Sequence, residues 1–215
     1  PDLLGTDPLI EDAMVAAGFT PDPRESAVGT WIARNGVPVD LMVTAAIAGP
    51  GRRSVTAPPH DSKSMRSTRG LEAALVDNSK RAIGAFDTST DARNFVISVA
   101  GPAALLVAKL HKIDDRIDNP SRLDNKDAHD IYRILVALPT EQLANTFRIL
   151  QTTTVSEPVT TEAVDLLRQL FAKGPDAVGS QMAGSAEEII GDPVAVAESV
   201  SLLAQDLLRA LETPS

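Results

Sequence analysis

Phe95-Val96-Ile97-Ser98-Val99-Ala100-Gly101-Pro102-Ala103-Ala104-Leu105-Leu106-Val107-Ala108-Lys109-Leu110 contains the change of period on which the fold turns. Up to Val99 the residues are mostly β-branched or aromatic, in a short run bounded upstream by Asp, Asn, Ser and Thr, which predicts a strand. Gly101-Pro102 then interrupts the pattern, with Pro102 where a first-turn proline belongs. Apolar residues at Leu105, Leu106, Ala108, Leu110 and Ile113 predict a helix over 103–117. Everything downstream reads as helix: 124–137, a helix opened by Thr140-Glu141-Gln142, 160–173 ending at Gly174-Pro175, and a long one over 193–211.

Upstream of that boundary helix and strand mix. Residues 7–19 predict a helix with Asp7 as cap, Pro8 in the first turn and Gly18 at the end. Strands over 28–33 and 37–42 flank Asn35-Gly36, a dipeptide suited to a tight hairpin turn. Short apolar runs at 71–76 and 81–86 suit further strands, although Leu71-Glu72-Ala73-Ala74-Leu75 is equally compatible with helix. The segment from Ala48 to Arg69, with Gly49-Pro50-Gly51 and Pro58-Pro59, predicts a long loop. The fold class is therefore α+β, divided into an α+β domain over 1–139 and a helical C-terminal region over 140–215.

Composition narrows the chemistry. With 215 residues, 43% of them hydrophobic, the chain is long enough to bury a sizeable core. The absence of cysteine excludes disulfides, thiolate metal sites and a cysteine nucleophile, so a metal would be held by carboxylates. His60, His111 and His129 are scattered, and His129 is expected on the exposed side of its helix. No apolar run is long enough to span a bilayer and no basic leader opens the chain, so a cytoplasmic protein without membrane contact is expected. A net charge of -9 opposes a broad nucleic-acid-coating surface, yet Arg52, Arg53, Lys63, Arg66 and Arg69 face only Asp61. Signatures of P-loop, Rossmann and serine-elbow enzymes do not occur.

Three polar groups stand out. Asp40 lies within Val37-Pro38-Val39-Asp40-Leu41-Met42-Val43, where alternation puts it on one face with Pro38 and Met42. It is either a solvent-facing residue or a carboxylate that meets a partner. Lys109 falls beside Leu105, Leu106, Lys112 and Ile113 at helical spacing, either as an amine snorkelling over the core or as a site cation. Arg122-Leu123-Asp124-Asn125-Lys126-Asp127-Ala128-His129-Asp130 offers Asp124 as N-cap, Asp127 near the helix N-terminus and a Lys126–Asp130 pair at four residues.

In this order, strand Asp40, then Val99 to Leu110 with Lys109, then Lys126-Asp127-Ala128-His129-Asp130-Ile131-Tyr132, the sequence resembles nucleotidyltransferase-like proteins of the AbiEii abortive-infection toxin group over residues 1–137. The resemblance implies a small mixed β-sheet with flanking helices. It also implies Mg²⁺-dependent transfer of a nucleotide from an NTP to an acceptor such as RNA, by the toxin of a pair with a cognate antitoxin protein. A Gly-Gly or Gly-Ser turn leads to an Asp-x-Asp strand in that group. Asp2 matches the second Asp, and the first Asp and the turn would lie upstream of residue 1. Asp2 and Asp40 would bind the metal, Asp40 would also orient the attacking hydroxyl, Lys109 and Lys126 would hold the triphosphate, and Asp127 and Asp130 would complete the pocket. Arg52, Arg53 and Arg66 would then contact an RNA acceptor. The alternative is a non-catalytic nucleotidyltransferase-like module that binds a ligand or a partner protein.

Overall fold

The computed structural model describes residues 5–24, 27–48, 55, 57–119, 121, 123–188 and 191–213, without the side chains of 46 and 47. Asp2, Arg52 and Arg53 lie outside these. The chain divides into two compact units, Pro1–Leu71 and Glu72–Ser215. The boundary expected at 139/140 falls instead between two helices that share one core.

In the first unit, helix α1 (Ile10–Ala16) begins at Leu9, with no side-chain cap, rather than at Asp7. Strands β1 (Thr20–Pro21), β2 (Thr30–Ile32) and β3 (Pro38–Asp40) form an antiparallel sheet in the order β1-β2-β3. Gly36, at φ +84°, supplies the turn expected between β2 and β3. The segment expected to be one long loop carries structure at both ends. Helix α2 (Ala45–Ala48) follows strand β4 (Met42–Thr44), and strand β5 (Arg66–Thr68) pairs with β4 in parallel. A small core of Val43, Ala48, Val55 and Met65 lies beneath them. Trp31 is buried and donates its indole N–H to the Ser64 carbonyl at 2.9 Å, which leaves this aromatic satisfied as a structural residue.

A 3-10 helix over Leu71–Leu75, the helical alternative for that run, carries the chain into the second unit at Glu72. Strands β6 (Asn78–Gly84) and β7 (Asn94–Ala100) then form an antiparallel hairpin. The described strands thus make three small sheets rather than one mixed sheet. Helices α3 (Pro102–Asp114), α4 (Asn125–Ala137), α5 (Thr140–Thr152), α6 (Glu157–Leu170), α7 (Val178–Ser185) and α8 (Pro193–Glu212) complete the unit. Apolar residues at three- and four-residue spacing explain most of them. Ala128, Ile131 and Leu135 of α4, Leu143, Phe147 and Leu150 of α5, and Val200, Ala204 and Leu207 of α8 enter one core. Helix α7 has no such stripe. Its buried residues are Gly179, Ser180, Met182, Ala183 and Gly184, and the small size of all but Met182 lets it pack tightly on α4 and α8. No helix among the described residues is long and apolar enough to cross a membrane.

The strand-to-helix junction is held by one side chain. Gly101 caps α3 without a side chain of its own, so Asp77 supplies the missing acceptor: its Oδ2 takes the Ala104 N–H at 2.9 Å and its carbonyl takes the Gly101 N–H at 2.8 Å. A Cβ on Gly101 would overlap that carboxylate. Asp77→Ala is expected to lower stability by about 1 kcal/mol, and Gly101→Ala by about 1–3 kcal/mol through overpacking. In urea unfolding the double variant should lose less than the sum, because removal of the carboxylate makes room for the new methyl.

Candidate functional site

Two helices of the second unit create its densest charge cluster. On α3, Lys109 and Lys112 are three apart, and Arg116 follows four residues later in the turn after the helix, so all three leave the same side. On α4, Asp124 is the N-cap, accepting the Lys126 N–H at 3.1 Å, which starts the helix so that Asp127 and Asp130 lie one turn apart facing α3. Asp127 is 1% exposed. Its Oδ1 accepts from the Lys109 and Lys112 ammonium groups, both at 2.8 Å, and its Oδ2 is 3.6 Å from the Arg116 guanidinium. Lys109 also donates to Asp130 Oδ2 at 2.6 Å.

Electrostatics account for the arrangement. Burial pushes the Asp127 carboxyl upward, but the hydrogen bonds and charges of Lys109 and Lys112 outweigh it and hold the group below the usual carboxylate range. Burial likewise favours neutral Lys109, and Asp127 and Asp130 overcome that to raise its pKa. Three cations thus meet two carboxylates in this cluster. Phosphate oxygens are the natural ligand class for such a row of ammonium and guanidinium donors.

Lys126 does not join it. Its side chain is 70% exposed and pairs with Asp124 at 3.1 Å, while Lys109 takes Asp130, the partner expected for Lys126. A helix residue at position 126 points a full 100° away from 127, and the buried stripe of α4 puts 127 and 130, not 126, toward α3. Sequence reasoning also missed Lys112 and Arg116, although their spacing of three and seven from Lys109 was legible. His129 is not on an open face: its Nε2 lies 2.5 Å from Glu187 Oε1. His111 is buried, with Nε2 2.8 Å from the Val159 carbonyl.

In the first unit Asp40 has partners. Its Oδ1 accepts the Thr30 hydroxyl across the sheet at 2.6 Å, and its Oδ2 the Arg66 guanidinium at 2.9 Å. Arg66, expected in an acceptor-binding loop, is in β5 and also reaches Met42 Sδ at 3.4 Å; the single strand expected over 37–42 is split between β3, which ends at Asp40, and β4, which starts at Met42 in another sheet. A lone carboxylate already bound to a guanidinium is a poor Mg²⁺ site, since the metal needs several oxygen ligands. Among the described residues no group of three or more His, Asp or Glu is placed to hold a metal ion. Elsewhere in the second unit, an open depression of about 360 Å³ is lined by Arg168, Gln205, Leu208, Arg209 and Glu212, but its cations pair with Asp165, Asp206 and Glu212.

No family model, curated protein or solved structure is similar enough to this chain to match it.

Asp127→Asn would remove the charge on which Lys109, Lys112 and Arg116 converge, leaving only Lys109 a second carboxylate, Asp130, among the contacts of the cluster. At neutral pH it is expected to cost about 3–5 kcal/mol, as removing one partner of a buried pair does. A carboxyl with a depressed folded pKa contributes stability above its unfolded value, about 3.9, and loses it as pH falls through the folded one. The gap between wild type and variant in denaturant midpoint should therefore be full at pH 6–7 and close progressively in acid below about pH 4.

Proposed function

We propose that this chain binds a nucleoside triphosphate through Lys109, Lys112 and Arg116, and takes part in transfer of a nucleotide to an acceptor such as RNA. The observation that carries the reading is the convergence of these three cations on the single buried carboxylate of Asp127. Asp127 and Asp130 hold the two ammonium groups in fixed positions, so donors are oriented before a phosphate arrives and little ordering remains to be done on binding. An ammonium has three N–H donors, and Lys109 directs two of them at carboxylates. Phosphoryl and nucleotidyl transfer depend chiefly on positioning and on cations near the charge that develops on the phosphates.

The order of motifs supports the same reading. Lys109 and the Asp127–Asp130 helix follow the order of the nucleotidyltransferase-like group, which assigns Lys109 to holding the triphosphate and the two carboxylates to completing the pocket. The cation excess between Arg52 and Arg69 favours a polyphosphate acceptor. A second reading, a non-catalytic binding module, is favoured by the pairing of the Asp40 carboxylate with Arg66, which leaves it a poor metal ligand.

Calorimetric titration with ATP, GTP, CTP and UTP, in Mg²⁺ and in chelator, separates the two. Lys109→Ala is expected to weaken nucleotide binding about ten-fold or more, the value of one charge-assisted hydrogen bond. Lys126→Ala should leave it unchanged. Transfer of labelled nucleotide to RNA that is lost in Lys109→Ala and kept in Lys126→Ala supports the enzyme. Binding without transfer supports the module, and a wild-type chain that binds none of the four nucleotides overturns both.

A further inference from the structure

The β6–β7 hairpin forms a sheet of two strands only, and no other described strand lies along either edge. Its register places Val99, Ile97, Phe95 and Ile83 on one face together with Ser79 and Arg81. These four apolar side chains are 37%, 48%, 57% and 46% exposed. None belongs to the core of the second unit.

The two edges differ in a way that names the occupant. Strand β6 carries Lys80 and Arg81 at its middle, the usual protection of an open edge. Strand β7, Asn94-Phe95-Val96-Ile97-Ser98-Val99-Ala100, has no charge, no proline and no glycine. Its apolar face, Phe95, Ile97 and Val99, is centred on Ile97. Antiparallel pairing of β7 with another β7, with Ile97 opposite Ile97, sets Phe95 against Val99 and Val96 against Ser98, so that no polar charge is buried and no like charges meet. The same operation on β6 would set Arg81 against Arg81. The charges of residues 78–100 are Lys80, Arg81 and Arg93 against Asp87 and Asp91, so the net -9 of the chain is not concentrated where two copies would meet. We propose that a second copy of this chain pairs antiparallel along β7, making a four-stranded sheet about a two-fold axis at Ile97.

The absence of cysteine from the chain makes a direct test available. Residues directly opposite in an antiparallel pair have Cα atoms about 4.5–5.5 Å apart, within the span of a disulfide. Under mild oxidation Ile97→Cys is expected to give a covalent dimer and Arg81→Cys to stay monomeric. In sedimentation velocity the wild-type chain should show a dimer that dissociates on dilution over roughly two decades of concentration. Ile97→Lys should be monomeric throughout, with the circular dichroism and melting temperature that the wild-type chain shows at dilutions where it too is monomeric, because Ile97 is outside the core. A wild-type monomer at every concentration overturns the proposal. So does cross-linking through position 81, equal cross-linking at both positions, or a dimer that survives Ile97→Lys, each of which means that another surface or another partner occupies the edge.

Discussion

A carboxylate taken out of water in the contact between two helices must be met by cations, and Asp127 obtains them entirely from the facing helix and its following turn. Lys109, Lys112 and Arg116 lie along one side of α3, and the contact with α4 brings them to a single pair of oxygen atoms. Desolvation alone would drive such a carboxyl toward its neutral form. The cations reverse that preference and in doing so are themselves held close together, against their mutual repulsion. The α3–α4 contact therefore joins fold and chemistry: what keeps the helices in register also gathers a row of ammonium and guanidinium donors.

That register depends on how α3 begins. Gly101 has no side chain to offer the helix N-terminus, and Asp77, which comes just after the 3-10 turn, reaches across to do so. The capping carboxylate also complements the helix dipole at that end. From the cap, Lys109 follows two turns later, so the angle at which its ammonium leaves α3 is set by where Asp77 holds the first turn. The hairpin between Asp77 and Gly101 is correspondingly a long excursion whose two ends are pinned by one residue while its strands remain open to solvent.

The first unit solves a similar problem by a different route. Asp40 is partly exposed, so its pairing with Arg66 and Thr30 is a surface arrangement of modest energy, and the unit is organised by the few apolar residues beneath β4 and β5. The contrast with Asp127 is one of desolvation: the same ion-pair chemistry is nearly neutral at a wet sheet edge and decisive inside a helix contact.

Period and punctuation along the chain determined the elements themselves. Pro102 after Gly101, Asp124 ahead of Asn125, the Asn35-Gly36 turn and the apolar stripes of α4, α5 and α8 are local signals, because capping, φ preference and helical spacing act over four residues or fewer. Helix α7 escaped for the same reason, since a helix buried through glycine, serine and alanine carries no apolar stripe to read. Strand β5 escaped because it pairs with β4 in parallel, across an intervening segment of more than twenty residues. The residue types of the cluster were equally legible, but not the pairing: Lys126 and Asp130 satisfy the four-residue rule on their own helix, and only the packing of α3 on α4 gives Asp130 to Lys109 and leaves Lys126 in water. Partner choice among like charges is set by which side of a helix is desolvated, and that is decided by the neighbouring helix rather than by the order of residues.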